Sequence, residues 1–178
     1  MKTARHPYAR SQQGAEKQEN LSWWSPLKAW LELHILRRKP PLRIVLDTNV
    51  LIDSMQPDSS PAGKILELVW QDKFRLLMSP ATLHEARLVL AKPNLRGKNA
   101  IRSEDKALLL KHLEEKAVLT HNRPLKYPVA EHEADDKFLA AAVAGQADYL
   151  LTEDRHLLHV KSYRGIKVTT PERFLKKI

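Results

Sequence analysis

The chain of 178 residues contains no cysteine. That excludes disulfides, zinc–thiolate centres and thiol nucleophiles, so any chemistry must rest on carboxylates, histidines, hydroxyls or bound ions. No apolar run approaches the roughly 20 residues needed to cross a bilayer. The first twenty residues are polar and basic, without the apolar centre of a secretory signal. A cytoplasmic protein with no membrane span is the expectation. No internal sequence repeat is apparent.

A hydrophobic fraction of 43% is enough for one globular domain with a proper core. The formal charge is +9, and it is unevenly spread. Residues 1–43 hold Lys2, Arg5, Arg10, Lys17, Lys28, Arg37, Arg38, Lys39 and Arg43 against Glu16, Glu19 and Glu32, a net of +6 that leaves only +3 for the rest. The acids of the main domain can therefore gather locally without making the whole surface repel an anionic partner.

Residues 1–20 have few large apolar side chains and are expected to be disordered. Leu21, Trp24, Leu27, Leu31 and Ile35 then recur at helical spacing. Ser25 is placed as N-cap, Pro26 as the first helical residue, Arg37–Lys39 in the last turn, and Pro40 and Pro41 as the stop. This predicts an amphipathic helix near 26–37 within a basic extension of residues 1–41, ahead of a domain at 42–178. Its stripe, with Trp23 and Trp30, is expected to pack on the domain or on a partner chain, a homodimer among the possibilities; stacking on nucleobases is the alternative.

The domain reads as alternating strands and helices. Strands are expected at 42–46, 74–78, 117–120, 149–151 and 166–169. Helices are expected at 62–71, 80–91, 103–116, 135–145, 154–158 and 171–177, with Gly145 as a C-terminal cap. Residues 121–134, with Pro124 and Pro128, read as an exposed loop. The class is α/β, a three-layer α/β/α arrangement with a mostly parallel, roughly five-stranded sheet.

In such sheets functional groups gather where strands end and feed helices. Asp47 follows the first strand, and Asp154 follows the fourth with only Thr152 and Glu153 between. Glu85 lies about two turns into the helix after the second strand, and Asp136 opens the alanine-rich helix. Carboxylates brought together repel one another unless a cation neutralises them. Oxygen ligands without Cys or paired His suit Mg²⁺ or Mn²⁺, and such an ion can polarise a phosphodiester and activate water.

Four stretches resemble the PIN-domain nucleases: IVLDTNVLID (44–53), SPATLHEARLVL (79–90), DDKFLAAAVAGQADYLLTEDRHLL (135–158) and IKVTTPERFL (166–175). The resemblance spans about residues 42–178 and is similar to the bacterial branch of toxin components of toxin–antitoxin pairs. It implies a metal-dependent ribonuclease, with Asp47, Glu85, Asp136 and Asp154 as catalytic, metal-binding acids. Asn49 and Thr152 match polar positions that support the site. Counting back from LAAAVAGQADYLLT favours Asp136 over Asp135, which is left to cap the helix or support the site. Glu153 departs from the small residue frequent before the last acid. RNA rather than DNA, and an antitoxin partner, follow from the resemblance alone.

Other residues carry weaker expectations. Lys92, Arg96, Lys98 and Arg102 lie in a basic, turn-rich loop suited to RNA phosphates. The eight histidines show no paired ligand spacing. A catalytically silent RNA-binding module on the same fold is the main alternative, with a purely structural partner-binding protein behind it. A haloacid-dehalogenase-type phosphatase is weak because Asn49 stands where that chemistry needs a second aspartate.

Overall fold

The computed structural model describes residues 26, 29, 30, 40–56, 60–93, 101–121, 123–130 and 132–178. The chain divides at Pro40–Pro41 into two units. In the first, Pro26, Ala29 and Trp30 are helical and exposed. The rest of the expected amphipathic stripe lies outside the described residues, as do Arg96 and Lys98.

The second unit begins with β1 (Leu42–Leu46) and α1 (Thr48–Asp53), followed by α2 (Pro61–Trp70), β2 (Phe74–Met78) and α3 (Pro80–Leu90). Next come α4 (Ser103–Lys116), β3 (Val118–Leu119), a 3₁₀ turn at Glu133–Asp135, α5 (Asp136–Ala144), β4 (Tyr149–Leu151) and α6 (Arg155–His159). A hairpin of β5 (Ser162–Tyr163) and β6 (Ile166–Thr169) leads into α7 (Pro171–Leu175). Three helices start on one local device, a hydroxyl residue followed by proline. Ser60, Ser79 and Thr170 each accept from the amide three residues on, while Pro61, Pro80 and Pro171 take the first helical position, where no amide is needed.

The sheet order is β3-β2-β1-β4-β6-β5, parallel except for the β5–β6 pair. Its central strands are mostly apolar, apart from Arg43 in β1 and the exposed Arg75 in β2, because both faces are covered. Ile44, Leu46, Leu76, Met78, Tyr149 and Leu151 pack with α1–α4 and α7, whereas Val45, Leu77, Leu150 and Val168 pack with α5 and α6. The result is the expected three-layer sandwich, with six strands rather than five.

Three expectations change. The extra strand, β5, is two residues long, too short to show a periodicity; its two-residue loop, Arg164 (φ 50°) and Gly165 (φ 85°), has both residues left-handed, as a tight hairpin requires. Residues 121–134 are not simply an exposed loop, because Ala130 is buried and Leu125 and Val129 pack against the cluster around α5. Gly145 does follow α5 as its cap but keeps ordinary helical dihedrals, and the left-handed residue is Gln146. A Cβ at Gly145 would meet the Leu77 side chain at 2.5 Å and that of Thr120 at 2.7 Å, so close packing is what demands glycine there.

Candidate active site

β1 and β4 are neighbours, yet the chain leaves β1 toward β2 on one side and continues from β4 toward β6 on the other. Their loops therefore diverge at the carboxyl ends and open a crevice. Asp47 stands at one lip and the segment Thr152–Asp154 at the other.

Asp47 is buried and caps α1. Its backbone amide donates to the Leu151 carbonyl at 3.0 Å, its Oδ2 accepts from Thr152 Oγ1 at 2.7 Å, and its Oδ1 accepts from the Asn49 amide at 3.4 Å. Thr152, fully buried, also accepts from the Asp154 amide at 2.9 Å, so one hydroxyl links the two acidic loops. Asp154 Oδ1 accepts from the His156 amide at 2.7 Å and caps α6. Asn49 is exposed and acts on Asp47 through its backbone.

Glu85 reaches the same crevice from α3. Its Oε1 accepts from Thr48 Oγ1 at 2.8 Å, and its Oε2 meets Lys137 Nζ at 2.5 Å. That ammonium also donates to the Ala134 carbonyl at 2.6 Å.

Asp135 and Asp136 are adjacent in sequence but face different partners. The buried Asp136 carboxylate accepts from the Val129 amide at 3.0 and 3.2 Å and from the Ala130 amide at 2.7 Å, which fastens the preceding loop to the start of α5. Asp135 is half-buried and sits within the field of the other acids. Burial raises its pKa first, the Asp154 charge adds to the rise, Lys137 and His132 oppose it, and Glu85 contributes further. Asp47 is likewise raised, foremost by burial; its bonds from Thr152 and Asn49 oppose this, while the charges of Asp135 and Glu85 reinforce it. The carboxylates whose charges act on Asp47 are thus Asp135 and Glu85, and those acting on Asp135 are Asp154 and Glu85. Asp136, the residue favoured by counting along the sequence, is engaged with the backbone.

The donor set is all oxygen and over-charged, which fits a hard divalent cation. Among the described residues no three of these groups stand close enough to hold one ion as they are. The reason is visible in the bonding, since Asp47, Glu85, Asp136 and Asp154 are each turned toward a protein donor. Asp135 has no such bond among the described residues. Glu153 is exposed and is not among the causes of the shifts at Asp47 or Asp135.

Three features escape a reading along the chain. Thr48 orients Glu85 from 37 residues away, and nothing in its surroundings in sequence signals that. Lys137 pairs with Glu85, and the only hint is a cation placed directly after two acids. His132 and His156 stack edge to face with ring centroids 4.3 Å apart, although their spacing of 24 residues matches no local motif. Of the basic loop residues, Lys92 is exposed, and Arg102 pairs with Asp105 through two bonds of 2.9 Å.

The PIN domain family model matches residues 43–156. An uncharacterized protein of Methanocaldococcus jannaschii is 26% identical over 147 residues, covering 78% of this chain and 93% of its own length. Among solved structures, VapBC2 from Rickettsia felis bound to a DNA fragment from their promoter matches with a TM-score of 0.47 and 14% identity, covering 71% of this chain and 97% of that one. FitAB bound to a DNA fragment matches with a TM-score of 0.42 and 20% identity, over 72% and 94%.

Proposed function

The chain belongs to the PIN-domain family, whose nucleases generally use divalent metal ions, and from that premise we propose that it is an endoribonuclease hydrolysing RNA phosphodiester bonds with Mg²⁺ or Mn²⁺. The observation that carries the reading is the gathering of acids around the ends of β1 and β4, where burial first and then the charges of Asp135 and Glu85 raise Asp47, and burial first and then the charges of Asp154 and Glu85 raise Asp135. Repulsion of this kind destabilises a fold unless a cation relieves it. In this reading Asp47, Glu85 and Asp154 hold the cation together with an acid from the start of α5. The motif's choice there is Asp136, and Asp135 is put forward beside it because burial and the charges of Asp154 and Glu85 raise its pKa.

When bound, the cation supplies charge neutralisation for the phosphodiester and activates the attacking water. The chain's own groups arrange the site around it. Thr152 holds Asp47 and the Asp154 loop in one register, Thr48 aims Glu85, and Asp136 keeps residues 129–130 against α5. The motif resemblance carries two finer statements: that RNA is the substrate, and that the protein is a toxin held in check by an antitoxin.

The full-length protein is expected to cut single-stranded RNA in Mg²⁺ or Mn²⁺ and to lose that activity in EDTA or on Asp47→Asn. RNA left intact by the wild type under every metal condition would sink the enzymatic reading. A catalytically silent RNA-binding module is the second reading, and the Lys137–Glu85 pair favours it because one acid is already neutralised. RNA binding indifferent to EDTA and to Asp135→Asn would support that reading instead.

A further inference from the structure

Lys137 lies in the first turn of α5, and its side chain is 25% accessible. Its ammonium meets Glu85 Oε2 at 2.5 Å and donates to the Ala134 carbonyl at 2.6 Å. Its Nζ also lies over the buried Phe138 ring, 5.2 Å from the ring centroid. A cation is therefore already present among the acids, supplied by the chain itself. It carries one positive charge and bonds to one of the carboxylates, whereas a divalent ion serves several at once.

The two cations cannot share Glu85 without repulsion, so an incoming divalent ion and the ammonium compete for Oε2. A lysine can yield such a position without backbone movement, because four rotatable bonds carry its charge. Its release leaves a positive group at the rim of the crevice, on the residue that follows the acids of α5. The anionic group that must approach that crevice in a nuclease is the scissile phosphate.

Building on the nuclease reading above, we infer that Lys137 is an exchanging counter-ion. It neutralises Glu85 before a divalent ion binds and moves to a non-bridging oxygen of the scissile phosphate once the ion is in place. This makes it a direct substrate contact that the acid motif does not include, and a competitor that weakens metal affinity.

The test uses the full chain as wild type, Lys137→Met, Lys137→Gln and Lys137→Arg, with Mn²⁺ titrated calorimetrically and RNA cleavage measured at saturating Mn²⁺. Lys137→Met and Lys137→Gln are expected to bind Mn²⁺ several-fold more tightly than wild type and yet to cleave several-fold more slowly. Lys137→Arg is expected to recover much of the cleavage. A merely structural role would weaken both properties together. If wild type binds Mn²⁺ and the two neutral variants bind it no more tightly, or cleave equally fast at saturation, the exchange is overturned while the nuclease reading stands. If no form binds Mn²⁺, the nuclease reading falls and the exchange falls with it. Lys137→Gln keeps a polar group for Ala134 and so serves should Lys137→Met fold poorly.

Discussion

At Asp135 the carboxylate is pressed by Asp154 and Glu85, whereas at Asp136 both oxygens are satisfied by the amides of Val129 and Ala130. Opposite responses to substitution follow. Without metal and near neutral pH, Asp135→Asn should raise the melting midpoint. Solvent screening at a half-exposed group keeps the gain below about 1 kcal/mol, or under roughly 3 °C. Asp136→Ala should lower stability by about 1–3 kcal/mol, because it strands two amides near the core. A calorimetric scan of both variants in EDTA checks this, and equal shifts of the same sign would overturn the assignment. The pH dependence has a definite sign as well. Asp47 and Asp135 have folded pKa values raised above the ordinary 3.8, so the folded chain holds protons that the unfolded chain has already lost. Their contribution to stability therefore falls as pH rises from 3.8 through the folded values, and it returns on acidification. Urea melts in EDTA across that window should show a shallower slope in Asp135→Asn than in wild type.

Between elements, the close approach of α5 to β2 depends on a single missing methyl group. Gly145→Ala would place a Cβ against Leu77, which is fully buried and has little room to yield, and against Thr120. Overpacking of this kind costs about 1–3 kcal/mol, several degrees in the melting midpoint at this size. Because α5 also carries Lys137 and begins directly after Asp135, cleavage is expected to fall with stability in that variant. Gly165→Ala offers the contrast, since nothing lies near its Cβ and only the φ of 85° opposes the change. It should cost about 1 kcal/mol through backbone conformation, leaving the distant crevice and RNA cleavage unaffected. Comparing both variants by urea melt and cleavage assay separates strain that reaches the site from strain that does not.

For the whole chain, charge is organised as an acidic centre within a basic protein of net +9. Metal binding by the folded form alone should raise stability by about 2.7 kcal/mol at an ion concentration 100 times Kd. A thermal shift with Mn²⁺ that appears in wild type and disappears in Asp47→Asn is the expected result; equal shifts in both would argue against a centre built on Asp47. RNA binding should weaken steeply with salt, since phosphate contacts release counter-ions. Removing residues 1–40, which carry eight of the 30 basic residues, should make that dependence shallower if they contribute such contacts, as a filter-binding series would show.

Composition and local pattern were sufficient for the chemistry available, the α/β class, and the strand-end positions of Asp47 and Asp154. These are determined within a few residues, by periodicity, capping and the rule that strands feed helices. The choice between Asp135 and Asp136 is different in kind. Both lie at the start of one helix, and it is packing that brings the amides of Val129 and Ala130 onto the buried Asp136 and leaves Asp135 within reach of the charges of Asp154 and Glu85. The same holds for Thr48 on Glu85, for Lys137 among the acids and for the stacking of His132 on His156. Those contacts join segments that only the packed sheet brings together, so no spacing along the chain encodes them.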